Sequence, residues 1–311
     1  MAEESRTTVL AAMGANFAIA IGKLAAGLVT GSGALLAEAG HSAADTVNQV
    51  FLLLGLRLSE AVPDEDHPHG YGKEGFFWSF LAAIFIFVAG ATFSVYEGVR
   101  TLAQNDVHHR SAVELAIGFG VLGMAFLFES VSFAIAVREL RRGAAKRGWG
   151  FFRYIRKSPD LTTKTVFWED SAALVGLLLA ALGLFVSELT GNEHWDGVAA
   201  LGIGAVLAFV AVMLGLQSRS LLLGAAASPE TRIAISASVR GFAEVREIVR
   251  LLTMQLGSHS VLVSGELAVQ RHLTTEEIED LLVRIDAQLE KDVPEVSETF
   301  WELKRGKSED M

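Results

Sequence analysis

Cysteine is absent from the 311 residues, which excludes a disulfide framework and any thiolate-ligated metal. Charge is scarce: Asp, Glu, Lys and Arg make up 20% of the chain against 51% hydrophobic residues, and the mean hydropathy is +0.39. That composition is too apolar for an ordinary soluble protein and points to a polytopic membrane protein. Positive charge is in deficit, 26 Lys and Arg against 36 Asp and Glu, which argues against a nucleic-acid partner. The opening "MAEESRTTVL" lacks both a basic segment before a cleavage site and the Arg-rich character of a transit peptide. The first apolar run is therefore expected to be a retained span. No internal repeat or low-complexity segment stands out, and no hydrolytic signature such as HExxH occurs.

What the chain does have is six apolar stretches, near residues 7–29, 34–58, 75–99, 112–138, 162–188 and 197–217. Each is long enough to cross roughly 30 Å of hydrocarbon at about 1.5 Å per residue. The connection "RELRRGAAKRGWGFFRYIRKSPDLTTK" carries nine Lys and Arg, whereas "ELTGNEHWDG" carries none. The positive-inside rule places the basic loop in the cytoplasm, and with six spans both termini join it. Arg57, Lys73 and Arg219 agree with this orientation; Arg100 and Arg110 run against it. The short N-terminus favours a bacterial-style inner (plasma) membrane over an organelle.

After Leu223 the pattern changes. Residues 228–311 hold ten Lys and Arg against sixteen Asp and Glu, an acidic unit of its own. "SPETRIAISASVRGFA" starts like a helix at Ser-Pro, and "EIVRLLTMQLG" and "SVLVSGELAVQ" read as strands around a Gly-Ser turn. "TTEEIEDLLVRIDAQLEKD" opens as a helix N-terminus should, and "VSETFWELK" alternates like a last strand. The expectation is an α-helical polytopic membrane domain with six transmembrane helices over 1–223. A small cytoplasmic α+β domain over 224–311 follows it, αββαβ and ferredoxin-like, with helices on one face of a sheet.

The second span carries polar groups that a bilayer penalises by at least a few kcal/mol each. In "LLAEAGHSAADTVNQVFLLLGL", Glu38, His41, Asp45 and Asn48 share one helical stripe. His41 is the one histidine of eight inside an expected span, and Asp45 lies roughly 20 Å deep. An imidazole and a carboxylate one turn apart suit zinc and its neighbours; the structural alternative is a His–Asp pair that fixes helix packing. Partner ligands are sought at comparable depth on other spans. Asp170 and Glu169 stand adjacent on span five, where only one can face the stripe squarely, and Glu129 stands on span four as a ligand, a proton carrier or a packing group. Lys23 on span one matches Glu38 in depth, so a structural Lys23–Glu38 ion pair, or snorkelling of Lys23, is expected. The loop "PDEDHPHGYGKEG" gathers Asp64, Glu65, Asp66, His67 and His69, a metal-capture loop or a solvated Gly-rich turn. His108 and His109 in "DVHHR" are a weaker candidate on the outer side. Trp168 and Tyr96 are expected as interface anchors.

Six spans, "GSGALLAEAGHSAADTVNQ", "HPHGYGKE" and the αββαβ tail together resemble the cation diffusion facilitator family of zinc transporters over about residues 7–304. The resemblance implies homodimers that exchange cytoplasmic Zn²⁺, the transported substrate, for protons. It also implies a tetrahedral site from a second-span His and Asp with an HxxxD or DxxxD on span five. His41, Asp45 and Asp170 match three of these positions; the fourth is Val166, which cannot bind metal. With "WEDSAALVG" this resembles the branch related to the mitochondrial zinc transporter nine of animals. A fourth ligand would come from Glu129, Glu169, Asn48 or water, and Mn²⁺, Fe²⁺ and Co²⁺ stay open beside Zn²⁺. Histidines of the family's regulatory tail sites have no counterparts in "TTEEIEDLL" and "SETFWELK", so a dimerising tail without tightly bound metal is expected. The rival readings are a membrane hydrolase with an open metal position and a metal-sensing scaffold that transports nothing.

Overall fold

The computed structural model describes residues 2–103, 110–157 and 161–305; the His108–His109 pair lies outside them. The first part of the chain is helical: α1 (Ala2–Thr30), α2 (Gly33–Ser59), α3 (Glu74–Phe85), α4 (Thr92–Ala103), α5 (Ala112–Lys146), α6 (Phe151–Lys157), α7 (Leu161–Thr190) and α8 (His194–Leu222). A π-helical turn, Ile86–Ala91, joins α3 to α4. Among the described residues, four segments are long and apolar enough to cross a membrane: Glu74–Ala103, Ala112–Lys146, Thr163–Thr190 and His194–Leu222. The described part of α1 contributes a shorter apolar helix, Asn16–Thr30. With 27 residues, α2 is long enough; its polar stripe is what lowers its hydropathy.

The helices form one compact unit with a core that includes Leu35, Leu122, Leu177, Leu184, Ile203, Leu207 and Leu214. Small residues set the closest approaches, as they do where helices pack without a hydrophobic driving force between them. A Cβ added to Gly98 on α4 would stand 2.9 Å from the Gly197 carbonyl oxygen on α8.

The turn between α1 and α2 passes through Gly31 at φ +65°, a backbone conformation that costs glycine nothing. Two side chains from distant parts of the chain close it. Asp196 at the start of α8 accepts from the Ser32 hydroxyl (2.7 Å) and the Ala34 amide (3.3 Å), a carboxylate at a helix N-terminus. Arg110 donates to the Thr30 carbonyl (2.7 Å) at the C-terminal end of α1 and lies 3.8 Å from Glu193. This role explains an arginine on the connection where positive charge was not expected. Asp196→Ala is expected to cost about 1–2 kcal/mol, the scale of a lost helix cap, read as a lower unfolding temperature of the purified protein.

Two features of the basic connection differ from expectation. Helix α5 does not stop near 138 but runs to Lys146, started by a capping box between Ser111 and Glu114. The next turn forms α6, whose Tyr154 and Ile155 pack on Leu140 and Ala144. Trp168, expected as an interface anchor, is half-buried and packs against the helical core. Tyr96 is 60% exposed.

The second unit contains the tail: α9 (Pro229–Arg240), β1 (Val245–Gly257), β2 (Ser260–Val269), α10 (Thr275–Asp292) and β3 (Val296–Leu303). The sheet order is β1-β2-β3, β1 antiparallel and β3 parallel to β2, with α10 as the crossover that a parallel pair requires. Ser228 caps α9 ahead of Pro229, and Thr274 forms a capping box with Glu277 on α10. The Thr274 amide and hydroxyl hold the Glu277 carboxyl below its ordinary range. Ile235, Val239, Leu281, Ile285 and Leu289 of the helices meet Val261, Val263 and Leu267 of β2 in the core. Trp301 lies over Gly265, where any Cβ would collide with the indole, and donates to Asp286 at 2.8 Å.

Residues 57–76 group with this unit too. His69 Nδ1 lies 2.5 Å from Glu298 Oε2, and the backbone of Gly72 packs on Leu256 and Gly257. Asp64 accepts from the Tyr71 hydroxyl at 2.7 Å, which holds the Asp64 carboxyl below its ordinary range.

Candidate metal site

Helix α2 presents Glu38, His41, Asp45 and Asn48 along one buried or half-buried face, and the surrounding helices use these groups in two ways. At one end the Lys23 ammonium donates to Glu38 Oε2 (3.0 Å) and to the Ser42 hydroxyl (2.7 Å). Lys23 and Glu38 are both completely buried. The other carboxylate oxygen, Oε1, sits where a Cβ of residue 176 would be, so glycine at 176 lets α7 pass. Glu38 is thus paired with Lys23 through Oε2, while its Oε1 has no hydrogen-bond partner, and Ser42 is a partner the sequence did not single out.

One turn further on the polar atoms are uncommitted. His41 is buried, and neither ring nitrogen has a hydrogen-bond partner. Its Nδ1 lies 3.4 Å from Asp45 Oδ1, itself without a hydrogen-bond partner. Asn48 donates to Glu169 Oε1 across the α2–α7 contact, and its own Oδ1 is unpartnered. Next to Glu169, Asp170 accepts from Ser132 of α5 and keeps Oδ2 unpartnered. Glu129, one turn before Ser132, is half-buried within electrostatic range of Lys23 and Glu38. Asp45 in turn lies within electrostatic range of Glu169, Glu129, Lys23 and Asp170.

Buried polar atoms normally find partners, and leaving one unmade costs about 1–3 kcal/mol. Here the unpartnered atoms of Asp45, Asn48 and Asp170 are oxygen acceptors, and those of His41 are imidazole nitrogens. Such N and O groups match the preferences of a first-row divalent cation. Among the described residues, however, no three His, Asp or Glu side chains stand close enough to enclose a metal. His41 and Asp45 stand together, and Val166, one turn before Asp170, offers no ligand.

In the loop, His67 Nδ1 is 3.6 Å from Asp64 Oδ1 and His69 is engaged with Glu298. Among the described residues, Asp66, His67 and His69 form no three-ligand group.

Comparison with known proteins bears on the chain as a whole. Residues 9–223 match the cation efflux transmembrane domain. The mitochondrial proton-coupled zinc antiporter SLC30A9 of Homo sapiens is 31% identical over 292 residues, 92% of this chain and 50% of the human protein. Metal tolerance protein C4 of Arabidopsis thaliana is 30% identical over 87% of this chain and 60% of its own. The manganese efflux system protein MneP of Bacillus subtilis is 23% identical over 95% of this chain and 94% of its own. The chain thus spans about half the length of the human relative. With the matched domain covering most of an apolar, multi-helical chain, this integral multi-pass membrane protein belongs to the cation efflux, or cation diffusion facilitator, family.

Proposed function

We propose that the protein is a secondary active transporter that exports a divalent metal cation, Zn²⁺ first among the candidates, in exchange for protons. The observation that carries the reading is the set of unpartnered buried atoms on His41, Asp45 and Asp170. These are the residues matched to the family's transport site, on helices α2 and α7. Glu169 and Asn48, bonded to each other beside them, and Glu129 on α5 are the supplementary ligands or proton holders. A ligating carboxylate or imidazole must be deprotonated, so cation entry releases protons and reprotonation expels the cation. Asp170 joins the His41–Asp45 pair from α7, so cation capture couples α7 to α2.

The accompanying architecture is six spans, a ferredoxin-like tail and a homodimer. Both termini are cytoplasmic, in a bacterial inner membrane. An imidazole ligand favours Zn²⁺; the Bacillus relative, named for manganese efflux, keeps Mn²⁺ as the second reading. Proteoliposomes carrying a pH step, offered Zn²⁺, Mn²⁺, Fe²⁺ or Co²⁺, provide the test. Zn²⁺ flux that collapses when the pH step is removed is expected. Tight binding with no flux of any of the four ions would leave a sensor instead, and metal-dependent hydrolysis in detergent would leave an enzyme.

A further inference from the structure

Helix α5 is the least enclosed of the four long apolar segments: 17% of its apolar window is buried against 39–50% in the others. Leu127, Val131 and Ile135 are each more than half exposed, as a lipid-facing helix requires. On this helix an open groove runs along Phe133, Ala134, Val137, Arg138, Arg141 and Arg142. Its character changes abruptly between Val137 and Arg138, apolar before and cationic after. The two parts together extend about 14 Å along the helix.

The cationic end is only partly used by the protein. Arg142 pairs with Glu139 at 2.7 Å, and Arg141 stacks on the Phe151 ring at 5.8 Å, which orients its guanidinium without neutralising it. Arg138 is exposed and, among the described residues, has no ion-pair or hydrogen-bond partner. Phe152, next to Phe151, is 84% exposed. An apolar trough that leads into uncompensated guanidinium groups matches an amphiphile with an acyl chain and an anionic head. It does not match a free anion, for which the apolar half would be superfluous.

We propose that this groove is a binding site for an anionic phospholipid, with acyl carbons along Phe133, Ala134 and Val137 and the phosphate at Arg138 and Arg141. The site is independent of the cation site and holds whether or not the chain transports metal. Arginine recognises phosphate through paired N–H donors, and a basic cluster just beyond an apolar helix segment is where anionic headgroups lie.

The test is native mass spectrometry of the full-length protein in a non-ionic detergent, titrated with dioleoyl phosphatidylglycerol, dioleoyl phosphatidylcholine or glycerol phosphate. Phosphatidylglycerol is expected to bind in preference to phosphatidylcholine, and glycerol phosphate is expected not to displace it. Each basic side chain at an anionic surface is worth about fivefold, so Arg138→Gln/Arg141→Gln should weaken phosphatidylglycerol binding roughly twenty- to thirtyfold. Removing the same charge from α9, by Arg232→Gln/Arg240→Gln, should change it little. Ala134→Trp, which fills the apolar end and leaves the arginines intact, should also weaken binding. The proposal is overturned by equal losses in the two double-arginine variants, by unaltered binding in Ala134→Trp, by displacement with glycerol phosphate, or by equal retention of the two lipids. An unshifted unfolding temperature in the variants separates lost lipid contacts from lost folding.

Discussion

Proteoliposomes containing His41→Ala are expected to carry Zn²⁺ at least about a hundredfold more slowly than the parent. Outer-shell partners of metal ligands are commonly worth 10- to 100-fold each, and His41 is placed in the inner shell. The same loss is expected for Asp45→Asn and Asp170→Asn, which keep shape and remove the charge that a divalent ion requires. The purified variants separate this from the packing alternative. A His41–Asp45 pair that merely fixed helix packing would, once broken, lower the unfolding temperature. Relieving unpartnered buried atoms should instead leave stability equal or higher, because neither His41 nitrogen contributes a hydrogen bond to the fold. Retained stability with lost zinc binding by calorimetry supports the ligand role; flux at the parental rate removes it. Glu129→Gln discriminates further. As a proton holder, Glu129 would on replacement alter the pH dependence of flux while leaving zinc affinity nearly intact; as a ligand, the reverse.

The polar stripe was legible because the physics that exposes it is local. Ionisable groups in an apolar run are costly, and positions four apart share a helical face, so Glu38, His41, Asp45 and Asn48 declare themselves without any structure. Depth counting extended this to one tertiary contact: Lys23 and Glu38 lie at equal distances from one end of their helices and do meet, at 3.0 Å. The tail was legible for the same reason, its helix starts written as Ser228-Pro229 and Thr274 with Glu277.

What stayed hidden depends on contacts between remote segments. Asp196 closes the start of α2 from 162 and 164 residues away; in sequence it is one acid in a polar connection. Asn48 reaches Glu169, and Ser132 holds Asp170, and no periodicity in α2, α5 or α7 encodes which of two adjacent carboxylates takes which partner. The docking of residues 57–76 against the sheet was equally silent, since a Gly-rich loop with histidines reads the same whether solvated or held by Glu298. The π turn at Ile86–Ala91 packs Gly90 against Ala44 and Leu207, and its apolar sequence carries no mark of the extra residue.

Lys23→Met is expected to be the most destabilising single exchange in the helical unit. It removes the cation bonded to Glu38 and strands a carboxylate that is fully buried against Gly176. Breaking a buried pair by removing one partner typically costs about 3–5 kcal/mol, which in a chain of this size corresponds to a fall of unfolding temperature on the order of 10 °C. Lys23→Met/Glu38→Met should recover most of that loss. A buried pair exchanged for apolar groups of similar volume is often neutral or better, because two desolvation penalties disappear together. The residual deficit of the double variant then measures what Ser42 loses when its bond from Lys23 is gone. Equal instability of the single and double variants would mean that the pair contributes no coupling and that the lysine stem alone matters for packing. Flux completes the assignment. A stable double variant that still moves cations makes the pair a structural tie, whereas a stable but silent one places Lys23 and Glu38 on the proton path, within electrostatic reach of Asp45 and Glu129.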